Sequence, residues 1–144
     1  MLTFLPNDPK TAGADEIRFF SQNTPLPPDE IDWTLRAIYH AVIPGFAIED
    51  LGLLAAGLRA LHERGFKERA LVLRSQNTRE FLSFALNELG AAVGVSSLGP
   101  GVYAILHERD HRLRSQLVAA GEKWGLPLHS DSMGWNAGHL VSSR

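Results

Sequence analysis

The sequence predicts an α+β fold in which several helices pack against a mainly antiparallel sheet. Short apolar runs bounded by Pro, Gly or Ser are typical of strands, and longer segments with apolar residues three and four apart are typical of helices. Several helices follow one another between the first two clear strands, and this order favours antiparallel pairing over a doubly wound parallel sheet. Because a chain of 144 residues most often forms one domain, residues 1–144 are interpreted as a single domain.

The amino-terminal part is predicted to contain one strand and one short helix. The apolar run Leu2–Leu5 is the strand, and Pro6 ends it. The helix covers Ala14–Gln22. Residues 24–28 contain three prolines and are expected to be irregular.

A longer helix is predicted from Asp29, and Pro44–Gly45 is expected to end it. Its first residues are acidic, which suits the positive end of the helix dipole. Four apolar residues recur at spacings of four, three and four and are predicted to share one core-facing side: Ile31, Leu35, Ile38 and Val42.

The next helix is predicted over Glu49–Arg64, and Gly65 is expected to end it in a left-handed conformation. Gly52 and Gly57 lie inside this helix, where each costs up to about 1 kcal/mol relative to alanine. Close packing against another helix is the expected reason for both glycines.

Residues 66–75 fit a strand or a further helical turn, and both interpretations stay open. A capping box is predicted at Asn77–Glu80, opening a helix that ends at Gly90. The carboxy-terminal part is predicted as a strand, a helix capped by Asp110, and two closing strands: Val102–Leu106, a helix ending near Gly125, Leu126–His129 and Gly138–Val141.

Composition excludes several classes of function. Fourteen basic against sixteen acidic residues give a net charge of -2 without a basic tract, which argues against nucleic-acid binding. The absence of cysteine excludes disulfides, thiolate metal sites and cysteine nucleophiles. No apolar run approaches the roughly 20 residues of a membrane span. We therefore expect a soluble, cytoplasmic protein.

The segment from Gly94 to Gly101 is the first candidate for chemistry, because its glycines and serines let backbone amides approach an anion closely. It has neither the P-loop nor the dinucleotide-binding spacing, and a turn without a ligand remains an equal alternative. The histidines do not form a metal cluster by spacing and are interpreted as surface residues. The acidic pairs Asp29–Glu30 and Glu49–Asp50 are explained by helix starts.

Residues Val93–Ala104 resemble the motif VGQSSWGPTVYA in the carboxy-terminal half of the beta-ribofuranosylaminobenzene 5'-phosphate synthase family, a branch of the GHMP kinase superfamily. Weaker landmarks in the same order include Ala12–Gly13, Val42–Gly45 and Asp50. The resemblance implies a ferredoxin-like carboxy-terminal domain. It also implies transfer of ribosyl phosphate from phosphoribosyl pyrophosphate to a hydroxy- or aminobenzoate, in the making of methanopterin-type cofactors.

The resemblance implies a site for a small anionic substrate, formed together with an amino-terminal GHMP half or a second copy. It places seven residues at this site: Gly94, Ser96, Ser97, Gly99, Pro100, Gly101 and Asn136. It implies no cofactor within this chain, although Mg²⁺ would accompany phosphoribosyl pyrophosphate or ATP in a complete enzyme. It gives no catalytic base.

Three positions depart from the motif: Val95 replaces Gln, Leu98 replaces Trp and Gly101 replaces Thr. The superfamily's glycine-rich phosphate loop has no counterpart in the sequence, so we expect the chain to be incomplete for catalysis alone. Two alternatives stay open: half of a GHMP small-molecule kinase that uses ATP, and a non-catalytic binding or dimerisation module.

Overall fold

The computed structural model describes residues 1–132 and confirms the α+β class. The elements follow in this order: β1 (Leu2–Phe4), α1 (Ala14–Asn23), α2 (Pro28–Ala37), a π-helical segment (Ile38–Val42), α3 (Ile43–Ala47), α4 (Leu51–Glu63), α5 (Phe66–Val72), α6 (Gln76–Asn87), β2 (Ala92–Val95), β3 (Val102–Ile105), α7 (His111–Lys123) and β4 (Leu128–Asp131). The strand predicted at Gly138–Val141 lies outside the described residues.

The four strands form one antiparallel sheet in the order β2-β3-β1-β4. β3 lies between β1 and β2, and helices connect β1 to β2 along the chain. β1 lies between β3 and β4, and α7 connects β3 to β4. This pair of interleaved β-α-β units is the ferredoxin-like arrangement. The expected topology is therefore present, with α1 to α6 all lying in the first connection.

One face of the sheet packs against α6 and α7. Phe4 of β1 lies at its centre, with its ring centroid 5.0 Å from that of Phe81 in α6. Burying side chains of this size stabilises the fold by about 1.5–3 kcal/mol each. The core on this side includes Leu2, Val93, Val95, Val102, Ala104, Leu82, Ala85, Leu117 and Ala120.

The opposite face is covered at β2 and β3 by α4. Leu54, Ala55 and Leu58 of α4 pack with Ala92 of β2, and Tyr103 lies at the edge of this cluster. Alternate residues of β2 and β3 thus meet helices on opposite sides of the sheet, as the two-residue period of a strand requires.

The expectation that Pro44–Gly45 ends the second helix is wrong. The helix continues from Pro28 through the π-helical segment to Ala47. Pro44 has no N–H and its ring crowds the preceding turn, and a wider π turn accommodates both effects. In that turn the N–H of Ile43 donates to the carbonyl of Ile38. Gly45 does not end the helix but allows α4 to approach it closely. A Cβ at Gly45 would lie 2.7 Å from the backbone nitrogen of Leu54.

The expected core face of this helix is confirmed for Val42, which packs against α4, and wrong for two of its other members. Ile31 and Leu35 are exposed, whereas Ala37 is buried and Ala41 contacts α4 at Gly57. The small residues face α4 because they allow the two helix backbones to approach closely. The larger residues form a row on the outer side. We call this row the apolar stripe; its members are 44% to 63% exposed and are Ile31, Leu35, Tyr39, Ile43 and Phe46.

Apart from the helix that continues through Pro44, the helix termini agree with the sequence with one exception. Asp50 and Asp110 cap α4 and α7, accepting from the N–H groups of Leu53 and Leu113 at 2.9 Å each. Gly65 ends α4 with φ of 82°. The cap of α6 is Ser75, two residues before the predicted Asn77, because its hydroxyl accepts from the N–H of Thr78.

No helix within residues 1–132 has the length and apolar character needed to cross a membrane.

Candidate functional site

The candidate site is the connection between β2 and β3, residues Ser96–Gly101, which we call the serine loop. It starts beyond the last cross-strand pair, Val95 with Val102. The N–H of Ser96 donates to the carbonyl of Gly101 at 2.8 Å, and the N–H of Gly99 donates to the carbonyl of Ser96 at 2.7 Å. Two of the backbone amides that were proposed to bind an anion therefore donate to carbonyls of the loop itself.

The conformation of the serine loop explains its glycine. Gly99 has φ of 86°, in the left-handed region that favours glycine. Its Cα also lies against Arg74, since a Cβ at Gly99 would be 2.9 Å from Nη1 of Arg74. Ser97 has φ of 50° as well, and the peptide bond between Gly99 and Pro100 is cis. The tip of the loop is thus a sharply folded turn.

The residues proposed for the site differ in their accessibility. Ser96 and Ser97 are exposed, Gly99 and Gly101 are half-buried, and Pro100 is buried. The two hydroxyl-bearing residues are therefore the accessible part of the loop. Asn136 lies outside the described residues.

Leu98 anchors the serine loop to the helices. It is buried in a small cluster with Phe19, Phe66 and Ala70. The leucine that replaces the motif's tryptophan therefore contributes to packing between the loop, α1 and α5. The loop is closed on this side, while the serines face solvent.

Gly94 lies inside β2, before the serine loop begins, in register with Tyr103 of β3. The phenol of Tyr103 occupies the space that a side chain would need, because a Cβ at Gly94 would lie 2.5 Å from its Oη. Burial raises the pKa of Tyr103. The structure therefore gives Gly94 a packing role against this ring.

Lys67 of α5 reaches the serine loop, a contact that the sequence analysis missed. Its Nζ donates to the carbonyl of Ser97 at 2.6 Å and to the carbonyl of Val95 at 3.4 Å. Burial lowers the pKa of this ammonium. The site thus combines exposed hydroxyls with a partly desolvated positive charge, and both groups can bind an anion.

Arg74, which is 3% exposed, packs against the serine loop at Gly99. Its Nη1 donates to the carbonyl of Pro9 at 3.1 Å, and its Nη2 donates to Oγ1 of Thr11 at 2.7 Å. Burial lowers the pKa of Arg74, and the nearby carboxylate of Asp8 opposes this shift. Arg74 therefore joins the segment after β1 to the serine loop at Gly99.

Five histidines lie in the part of the chain that the structure describes, and their surroundings differ. Among residues 1–132, no group of three His, Asp or Glu side chains is placed to hold a metal ion. His40, His107, His111 and His129 are exposed as predicted, but His62 is half-buried. Burial and then the positive charge of Lys67 lower the pKa of His62 to about 4.

In each acidic pair at a helix start, the aspartate has a structural partner. Asp50 is the cap of α4, and Asp29 accepts from Nη2 of Arg64 at 2.6 Å. These contacts explain the positions of both aspartates.

Comparison of this chain with models of known protein families, with curated proteins and with solved structures found no match.

Proposed function

We propose that this chain forms one wall of a binding site for a small phosphorylated anion, and that a second polypeptide segment completes the site. The resemblance to the beta-ribofuranosylaminobenzene 5'-phosphate synthases suggests the ribosyl phosphate of phosphoribosyl pyrophosphate as the anion, and an amino-terminal GHMP half as the second segment. The observation that carries the proposal is the placement of Lys67 beside the exposed serines of the serine loop.

The hydrogen-bonding capacity of Lys67 supports an anion at this position. An ammonium has three donors, and the carbonyls of Ser97 and Val95 accept two of them. The third donor is available to a phosphate oxygen, for which lysine is a common ligand in proteins. Because Lys67 is partly buried, its charge is screened less than that of a surface lysine.

The exposure of the site supports a second wall. Ser96 and Ser97 are exposed, whereas small-molecule sites bury most of the ligand surface. The sequence offers no glycine-rich phosphate loop that could close the site from the same chain. We therefore expect weak, local binding by this chain alone. A kinase half of the same superfamily would use the same wall with ATP, and Mg²⁺ would arrive with either substrate.

The test is an NMR titration of the chain with Mg²⁺–phosphoribosyl pyrophosphate and, separately, with Mg²⁺–ATP. We expect millimolar binding, with amide shifts concentrated at Ser96, Ser97 and Lys67. Lys67→Gln should abolish these shifts, and Ser96→Ala should weaken them. The matched control is Lys10→Gln, an exposed lysine in the turn after β1.

Three outcomes would contradict the proposal. Unchanged spectra at the serine loop would exclude an anion site there. Shifts that survive Lys67→Gln would place the ligand elsewhere. Micromolar or tighter binding would show that the site is complete without a second segment. Which of the two compounds, phosphoribosyl pyrophosphate or ATP, binds more tightly separates the transferase from the kinase.

A second candidate function is a homodimerisation module, and the apolar stripe favours it. Five large side chains follow one side of a continuous helix and remain exposed. Contiguous exposed apolar patches often mark interaction sites. A two-fold axis across the stripe would place the stripes of two copies of the chain against each other. Such isologous dimers are the commonest oligomers. Beside it lies a hollow of about 380 Å³ lined partly by Leu35 and Tyr39, which could receive a partner side chain.

Sedimentation at increasing concentration tests this second function. The chain should form dimers, and Leu35→Glu and Tyr39→Glu should make it monomeric. Ile17→Glu, at an exposed position of α1 outside the stripe, is the control and should leave the dimer intact. A monomeric wild-type chain at high concentration would rule this function out.

A further inference from the structure

A groove of about 250 Å³ lies between α4, α5 and α6. Its apolar wall is formed by Leu71 of α5 and by Leu82 and Leu86 of α6. Sites for drug-sized ligands usually enclose about 300–1,000 Å³, so this groove suits a smaller molecule. Because this wall consists of leucines, it favours a ligand with an aliphatic chain over a ligand with a flat ring that would stack on an aromatic side chain.

The rim of the groove carries a net positive charge. Arg59 and Arg79 line it together with one carboxylate, Glu63, which leaves one positive charge in excess. Arg59 spans the groove, because its Nη2 donates to the carbonyl of Leu86 in α6. Within residues 1–132, Nε of Arg59 is buried and has no hydrogen-bond partner. Because this nitrogen is inaccessible, a ligand in the groove would interact with Arg59 through the charge of its guanidinium.

Two further polar side chains line this groove, His62 and Ser83. Nδ1 of His62 is buried and, within the described part of the chain, has no partner, so it is out of reach of a ligand. Since the pKa of His62 is about 4, its imidazole is neutral at pH 7 and leaves the net charge of the groove unchanged. Nδ2 of Asn87 donates to Oγ of Ser83 at 3.2 Å. The hydroxyl proton of Ser83 is therefore left to donate elsewhere.

We propose that this groove binds a small aliphatic monocarboxylate, with its carboxylate held by Arg59, Arg79 and Ser83 and its chain against the leucines. The single excess positive charge matches a carboxylate, whereas a phosphate dianion would leave a net negative charge in a partly buried place. The ligand class and the residues differ from those at the serine loop, so this inference does not depend on the proposed function.

Hexanoate is the probe, and hexanol and acetate are its controls, in calorimetry and NMR titration. Hexanoate should bind more tightly than either control, because hexanol lacks the charge and acetate lacks the chain. Arg79→Gln should weaken hexanoate binding about tenfold, as expected for loss of a hydrogen bond to a charged group. Ser83→Ala should weaken it several-fold. Both positions are exposed, so these variants should fold, and thermal unfolding checks this.

The matched control is Arg112→Gln, at an exposed arginine of α7 outside the groove, which should bind hexanoate like the wild-type chain. Three results would overturn the inference: no binding of hexanoate at millimolar concentration, hexanol binding as tightly as hexanoate, or equal weakening by Arg79→Gln and Arg112→Gln.

Discussion

Glu30 and Arg69 form a bidentate ion pair between the start of α2 and α5. Nη1 of Arg69 donates to one carboxylate oxygen at 2.9 Å, and Nη2 donates to the other at 2.7 Å. This geometry is stronger and more specific than a single contact between charges. The hydrogen bonds from Arg69 lower the pKa of Glu30, desolvation opposes the shift, and the positive charges of Arg69 and Arg64 add to it.

The Glu30–Arg69 pair should stabilise the fold only above a defined pH. Since the pKa of Glu30 is below its ordinary value of 4.5, the contribution is complete above about pH 4.5 and is lost as the pH falls through the folded pKa. Glu30→Gln should therefore lower the thermal unfolding midpoint at pH 7, and this difference should shrink below pH 4.5. The exposed control Glu108→Gln should show no such pattern. A difference that is independent of pH would contradict the assignment.

His62 should also make the free energy of unfolding depend on pH, in a range above the one in which Glu30 acts. Its imidazole has a pKa of about 4 in the fold and about 6.5 in the unfolded chain, so the unfolded chain takes up the proton first as the pH falls. Stability should decrease from about pH 6.5 towards pH 4, and His62→Gln should remove this slope. NMR titration of the histidine rings measures the pKa directly. Exposed His40 provides the comparison, and an ordinary pKa at His62 would refute the prediction.

The two glycines of α4 should respond differently to alanine. At Gly57 a Cβ would lie 2.8 Å from Cγ2 of Val42 and 2.9 Å from the backbone nitrogen of the same residue. Gly57→Ala should therefore destabilise the fold by about 1–3 kcal/mol in urea unfolding. Gly52 is exposed, and the nearest atom to its Cβ would be Oδ1 of Asp50 at 3.3 Å. Gly52→Ala should stay within about 1 kcal/mol of wild type. Equal losses would contradict this view of the helix contact.

Gly94→Ala should destabilise the fold through Tyr103. The new methyl would overlap the phenol at 2.5 Å from Oη and 2.6 Å from Cζ, at a cost of about 1–3 kcal/mol. Tyr103→Leu removes the ring, so the double variant should lose less stability than the sum of the two single changes. A coupling of about 0.5 kcal/mol or more would establish the contact. Strict additivity in urea unfolding would show that Gly94 has another role.

Local signals predicted α7 well. The cap at Asp110 and the apolar spacing of Leu117 and Ala120 lie close together in sequence, and α7 forms where they indicate. The long helix was harder to predict. Its passage through Pro44 depends on a π turn and on contact with Leu54, which no local rule contains. Apolar spacing correctly assigned Val42 to the core, but not Ile31 and Leu35, which are exposed on the outer side.

The candidate site was predicted only in part, because its loop has a local signal and its other contacts join distant residues. Glycines and serines indicated a tight exposed turn, and Ser96 and Ser97 are exposed in one. Lys67 was missed because residues 66–75 fit either a strand or a helix. Lys67 lies in α5 and Arg74 lies two residues beyond its end, and both contact the serine loop. Gly94 was assigned to the loop although it belongs to β2.

The strand order has a consequence for how the chain folds. Among residues 1–132, β1 pairs with β3 and β4, so Leu2 lies opposite Ala104 and Asp131, roughly a hundred or more residues further along. Bringing such distant segments together costs loop-closure entropy before any contact compensates for it, and a topology of high contact order folds slowly. We expect the intervening helices to form early and the centre of the sheet to assemble last. Until then, the apolar faces of α6 and α7 would remain open to aggregation.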